Sequence, residues 1–351
     1  MNKSYFLKNA GIKELIPSLA RDFKLFAPER IEETYKWRRV LEDSPKTPDW
    51  SQYRTVEPLK TFFFPPRYTV ATYSADTPQG KADLDALKEK QTVLFGTKAC
   101  DLRSLKVLDH VFLEGEIEDP FYKARRENTI LIASDCTEFT ENCFCLALGI
   151  NPFPEDNYDI KFSVLEEGLL LEAGSQRGES LLDRYRSHFT EATASQKEEA
   201  EKNRNTFIDN YRKKIAGENL PEKDSIKGYV EKNFKSGIWE NYSEDCVECG
   251  ACNLVCPTCH CFILQDYARS GGDFGRSLLW DSCQYKTFAR VAGGANPRRR
   301  LAERIRNRFD KKFSFFPERI DSYACTGCGR CTEACLAGID IREVLKELAS
   351  A

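Results

Sequence analysis

Eight of the chain's 15 cysteines fall in two runs of one spacing. Cys246, Cys249, Cys252 and Cys256 step by 3, 3 and 4 residues, and Cys325, Cys328, Cys331 and Cys335 repeat those steps. Thiolates in such number select iron–sulfur clusters, zinc or copper(I). The spacing separates these options. A loop with a thiol at every third residue wraps three corners of an iron–sulfur cube, and the fourth cysteine points to a second cube. Two such runs complete each other. Cys246, Cys249, Cys252 and Cys335 are expected to hold one [4Fe–4S] cluster, and Cys325, Cys328, Cys331 and Cys256 the other. Structural zinc uses two separated pairs instead. Gly250, Gly327 and Gly329 permit tight turns and let amide N–H groups approach cluster sulfurs.

Seven more cysteines remain. Cys100 lies four residues beyond TVLFG (92–96), and Cys136 two beyond TILIAS (129–134). Both runs are apolar and suit buried strands. DLRSLKVLDHVFL, between them, has helical periodicity and opens on Asp101. Strand, helix and strand in succession imply parallel strands. The carboxyl ends of such strands share one edge, where ligands commonly bind. CTEFTENCFC then supplies Cys143 and Cys145 from the adjoining loop. These four suit a third [4Fe–4S] cluster; a zinc site or inert buried thiols fit the same pattern. Cys259, Cys261 and Cys283, in CPTCHCF and WDSCQY, read as buried thiols packing around the clusters, with alternative ligation as the other reading.

The elements that must position these residues fall into three segments. Residues 1–190 read as an α/β domain with a partly parallel sheet. Within it IKELIPSLARDFKLF is a helix broken by Pro17, TFFFPPRYTVATY carries strand-like runs, and DIKFSVLEEGLLLEAG is a strand, turn and strand. Residues 191–243 are highly charged and read as two solvated helices broken near Gly217–Pro221, a connector without chemistry. Residues 244–351 read as an α+β, ferredoxin-like dicluster domain with an insert, 257–324.

Hydrophobic residues make up 41% and charged residues 30%, with net charge -3. No field of one sign points to nucleic acid. The amino terminus lacks an apolar signal core, and no run of about 18 apolar residues occurs. A cytoplasmic protein without an integral membrane segment is expected, where clustered thiols bind metal rather than pair. His110, His188 and His260 are the only histidines, and no catalytic triad follows from their spacing. No glycine-rich nucleotide fingerprint occurs, so a nucleotide or flavin site has little support in the sequence; an electron relay needs no bond-making residue, and none is assigned. NPRRRLAERIRNRFDKK (296–312) is basic. It reads most simply as a solvated helix face, otherwise as a docking face for an acidic partner or a field that raises cluster potentials. Trp239 and Trp280 flank the cysteine region and suit either interfaces or burial.

FGTKACDLRSLKVLDHVF, DPFYKARREN, the CFC loop, CVECGACNLVCPTCHCF, WDSCQY and CTGCGRCTEAC occur in that order. Together they resemble the iron–sulfur electron-transfer subunit of anaerobic sulfite reductase and the beta subunit of cytoplasmic NiFe sulfhydrogenases. The resemblance implies an electron-carrying subunit rather than an enzyme in its own right. It also implies partners: a flavin-containing subunit of NAD(P)H type and a catalytic redox subunit. The alternatives are a self-contained flavin-dependent iron–sulfur reductase and a zinc-stabilised assembly module.

Overall fold

A computed structural model of the chain describes residues 3–44, 48–50, 53–74 and 77–351. The strands in chain order are β1 Ser4–Lys8, β2 Lys24–Ile31, β3 Thr34–Arg39, β4 Arg67–Ser74, β5 Thr77–Lys81, β6 Thr92–Thr97, β7 Thr129–Ser134, β8 Ile160–Val164, β9 Gly168–Ala173, β10 Thr190–Glu191, β11 Phe262–Ala268 and β12 Phe274–Trp280. The residues group into two compact units that interleave along the chain. The first comprises Met1–Leu59, Lys88–Arg103 and Arg126–Glu218, the second Lys60–Leu87, Ser104–Arg125 and Asn219–Ala351.

The first unit is built on a sheet in the order β10-β1-β9-β8-β7-β6-β2-β3. The contiguous strands β2, β6, β7 and β8 pair in parallel, and the flanking pairs are antiparallel. The helix Ala99–Phe112 links β6 to β7, so the strand–helix–strand reading holds. β8 and β9 form the expected hairpin, closed by the Leu165 amide donating to the Gly168 carbonyl at 2.8 Å. The sheet is continuously apolar where parallel strands bury both faces: Val93 and Ile130 on one face and Leu94 and Leu131 on the other are each at most 3% exposed.

Pro17 does not break its helix. Asn9–Asp22 runs through it, because Ile12, Leu15, Ile16 and Leu19 recur at helical spacing and all join the buried core. Packing of that stripe outweighs the one amide donor that proline lacks. The charged segment after residue 191 holds a long helix, Ala194–Ala216, opened by a reciprocal capping box between Thr193 and Gln196.

The second unit carries a four-stranded sheet in the order β11-β12-β4-β5. β11 and β12 are a hairpin made by the insert, and β4, the partner of β12, comes from the TFFFPPRYTVATY stretch just over 200 residues earlier. The Trp280 indole donates to the Phe64 carbonyl at 2.9 Å and fixes that long-range pairing. β11 is an edge strand, with Phe262, Ile263 and Leu264 all exposed. The helix Leu301–Asp310 continues into a wide π-helical turn, Lys311–Phe315. The carboxyl-terminal helix Ile341–Ser350 buries Val344, Leu345 and Leu348. Trp239 is 2% exposed, and its indole donates to the Asn233 carbonyl at 2.8 Å; burial, not an interface, accounts for it. Among the described residues no helix is long and apolar enough to cross a membrane.

Candidate metal centres

The repeat seen in the cysteine spacing is also a repeat of backbone. Gly250 (φ 73°) caps the short helix Ala251–Leu254, and Gly329 (φ 75°) caps Arg330–Glu333. Both sit in the left-handed region, which glycine enters without penalty. At Gly250 a Cβ would also stand 2.6 Å from the Tyr285 ring, so space and conformation demand glycine together. Each turn thus starts a single helical turn, and the fourth cysteine of each run follows it.

Cys246, Cys249, Cys252 and Cys335 line one cavity, the crossed set expected from spacing. Cys331 borders the same cavity, although it belongs by spacing to the other set. Cys331 and Cys325 both lie within electrostatic reach of Cys256, and Cys331 also of Cys328. Cys256, Cys325 and Cys328 are buried, whereas Cys249 is exposed. Burial pushes the thiols of Cys252 and Cys325 up to about 12. Left to themselves these sulfurs hold their protons, and binding a metal must release them.

The basic stretch at 296–312 is not a solvated face. Arg304, Arg308 and Lys312 are 1%, 8% and 4% exposed. They recur every fourth residue, along one stripe of the helix Leu301–Asp310 and the turn after it. Arg304 donates to the Glu248 carboxylate at 2.6 Å and to the Gln284 carbonyl at 3.2 Å, bracing the loop between Cys246 and Cys249. Nε and Nη2 of Arg308 are buried without a hydrogen-bond partner. Burial opposes the charge on Arg308, but the sulfurs of Cys252 and Cys331 outweigh it and hold the guanidinium cationic. Orphaned N–H groups between the two cysteine loops fit anionic sulfur clusters, which accept such hydrogen bonds. Lys312 Nζ donates to Cys256 Sγ at 3.1 Å, to the Thr258 hydroxyl at 3.2 Å and to the Ala324 carbonyl at 3.0 Å. Burial works against its charge as well, and the neighbouring Cys256 and Cys259 sulfurs reverse that effect. Lys60, 2% exposed, donates to the carbonyls of Asn253 and Cys259 at 3.2 and 3.0 Å and lies over the Trp280 ring.

In the first unit Cys136, Cys143 and Cys145 join one cluster with Phe139, Phe207 and Tyr211. Cys136 follows the carboxyl end of β7 and Cys100 that of β6, two strands that pair in parallel. Cys100 is buried outside that cluster, and both Cys100 and Cys136 act electrostatically on Lys98. Lys98 is 1% exposed and donates to the Asp135 carbonyl at 2.8 Å. Burial raises the Cys136 thiol to about 12, with Lys98 opposing. The Thr140 amide donates to Cys143 Sγ at 3.4 Å.

The 191–243 segment is therefore more than a connector. From the helix Ala194–Ala216, Arg204 forms an ion pair with Asp135 (2.8 Å), the Tyr211 hydroxyl meets Cys145 Sγ (3.4 Å), and Lys214 donates to the Cys143 carbonyl (2.7 Å). Its buried Ala200, Phe207 and Tyr211 form one narrow stripe. That stripe is the signal by which sequence reading can find a helix that covers a cysteine site. Among the described residues, no three His, Cys, Asp or Glu side chains converge at the spacing of a single metal ion.

Residues 245–339 match the family described as 4Fe-4S dicluster domain. Across 325 residues the chain is 33% identical to sulfhydrogenase 2 subunit beta of Pyrococcus furiosus, covering 93% of this chain and 92% of the relative. The chain belongs to the sulfhydrogenase beta-subunit family. As a member it is an iron–sulfur electron-transfer protein whose second unit contains a ferredoxin-like domain for two [4Fe–4S] clusters. The first unit supplies the mixed, partly parallel α/β fold expected of its amino-terminal part.

Proposed function

We propose that this chain is the electron-relay subunit of a cytoplasmic, multi-subunit oxidoreductase. It takes single electrons from a flavin subunit that handles nicotinamide nucleotides and delivers them to a catalytic subunit of hydrogenase or sulfite-reductase type, or the reverse. When bound, the clusters supply the one-electron carriers; the polypeptide binds, orients and insulates them. Cys246, Cys249, Cys252 and Cys335 hold one cluster, and Cys325, Cys328, Cys331 and Cys256 the other. Lys312 and Arg308 place positive charge against these sulfurs and favour the reduced, more negative state. Cys100, Cys136, Cys143 and Cys145 hold a third cluster, covered by the helix Ala194–Ala216.

The observation that supports this reading is the crossed grouping of cysteines from the two runs around one cavity. Cys335, from the second run, lines one cavity with the first three cysteines of the other, as two interlocked cubes require. Relatedness along nearly the whole chain to a sulfhydrogenase beta subunit supports the rest. The test is iron and acid-labile sulfide per chain after anaerobic purification, with electron paramagnetic resonance of the reduced protein. At least about 8 irons, with the magnetic interaction of two neighbouring cubes, is expected from four irons per cubane. Zinc without sulfide would end the relay reading. Co-purification with a flavoprotein and a second redox subunit tests the partners.

A further inference from the structure

Three cysteines of the insert stand outside all of these ligand sets. Cys259, Cys261 and Cys283 line one cavity of about 210 Å³, together with His260. Local folding brings them there. The Asp281 amide donates to the Cys261 carbonyl at 2.9 Å, extending the β11–β12 hairpin so that the strand leading to Cys283 runs beside the CHC stretch. Asn253, 2% exposed, spans two of the sulfurs: its side-chain amide donates to Cys283 Sγ at 3.0 Å, and its oxygen accepts from Cys259 Sγ at 3.6 Å.

His260 lines the cavity with one ring nitrogen already engaged. Its Nδ1 lies 3.0 Å from the Thr258 carbonyl. A carbonyl only accepts, so Nδ1 carries the hydrogen and Nε2 keeps its lone pair. Metal-bound imidazoles are commonly fixed in this way. The walls add charge: Arg298, Arg308, Lys311 and Lys312 line the cavity, and no carboxylate does. Four cations around three thiols suit a group of net negative charge. The volume suits several atoms rather than one, since a single water needs only about 10–15 Å³ of such space. Soft thiolate donors choose iron–sulfur chemistry among polyatomic groups.

We propose that Cys259, Cys261 and Cys283, with His260 Nε2 as fourth donor, hold an additional iron–sulfur cluster beside the dicluster pair. The assignment uses none of the eight dicluster cysteines, so it can fail while the relay function stands.

The test compares the full chain with its Cys261→Ser/Cys283→Ser variant, both purified anaerobically. Loss of about 4 irons and 4 sulfides per chain, one cubane's worth, is expected, with the interaction signal of the dicluster pair unchanged. Equal iron in the two proteins overturns the proposal, as does loss of zinc in place of iron. Absence of iron from the unsubstituted chain would overturn the relay function itself. A second measurement guards against misfolding of the variant. Electron spin-echo spectroscopy of the reduced, unsubstituted chain should show nitrogen coupling from a directly bound imidazole, and His260→Cys should abolish it while retaining iron. A spectrum without that coupling removes His260 from the ligand set and overturns the assignment.

Discussion

Lys312 shows most directly how one side chain can set the property that matters. Its ammonium lies 3.1 Å from Cys256 Sγ and is buried away from screening ions. A positive charge there stabilises each added electron. By Coulomb's law at an effective dielectric of about 20, a charge several ångströms away contributes about 2–3 kcal/mol. Lys312→Met should therefore lower the midpoint potential of the nearer cluster by on the order of 100 mV, read in a redox titration followed by electron paramagnetic resonance. An unchanged potential would remove Lys312 from that role. Arg308→Leu should lower both dicluster potentials, because the guanidinium lies within reach of Cys252 and Cys331, one from each set.

Elements explain why some of this was legible in the sequence and some was not. The cysteine steps reveal the two loops, since a cube's corners dictate a local spacing. The parallel strands at 92–97 and 129–134 reveal themselves by apolar runs. The basic helix misleads because charged side chains are rarely buried; only the fourfold spacing of Arg304, Arg308 and Lys312 hints that one stripe faces inward. The helix Ala194–Ala216 misleads for the opposite reason, because three buried residues in 23 leave its composition polar. Its role is open to test. Phe207→Ala should destabilise the helix by about 3 kcal/mol or more, as large buried aromatics do when truncated. If the proposed amino-terminal cluster is present, an anaerobic preparation of this variant should lose about 4 irons while the dicluster signal remains.

At the scale of the whole molecule, proton linkage couples metal to fold. Burial pushes the Cys252 and Cys325 thiols up to about 12 in the folded, metal-free chain, against about 8.5 for an unperturbed thiol. Above that lower value the unfolded chain loses its thiol protons while the folded, metal-free chain keeps them. The unfolded state then binds fewer protons, so the stability of the metal-free chain falls as pH rises through about 8.5 and beyond. Below that value the advantage is fully present. Cluster binding runs the other way, since each ligand sheds a proton on binding. Denaturation of the metal-free and reconstituted proteins between about pH 7 and 10 should therefore give diverging curves, the first descending.

The interleaved units bear on how the chain can be cut. β4 lies within 60–87 and pairs with β12 of the insert. A fragment beginning at residue 244 holds all eight dicluster cysteines but lacks the inner neighbour of β12, along with Lys60 and Phe64. Such a fragment should fail to fold into a soluble cluster protein, whereas a ferredoxin of similar cysteine spacing does so unaided. Sequence reading places its boundary at 244 because cysteine spacing is local and strand pairing across some 200 residues leaves no local mark.

The outer strand of that sheet has a practical consequence. Among the described residues β11 is the outermost strand of its sheet and carries the exposed Phe262, Ile263 and Leu264, the combination from which proteins aggregate unless the edge is covered or charged. Produced without companions, the chain should stick to itself edge to edge, and its yield will reflect stickiness rather than poor folding. A lysine at this rim, Leu264→Lys, should suppress light scattering in concentrated samples without altering iron content.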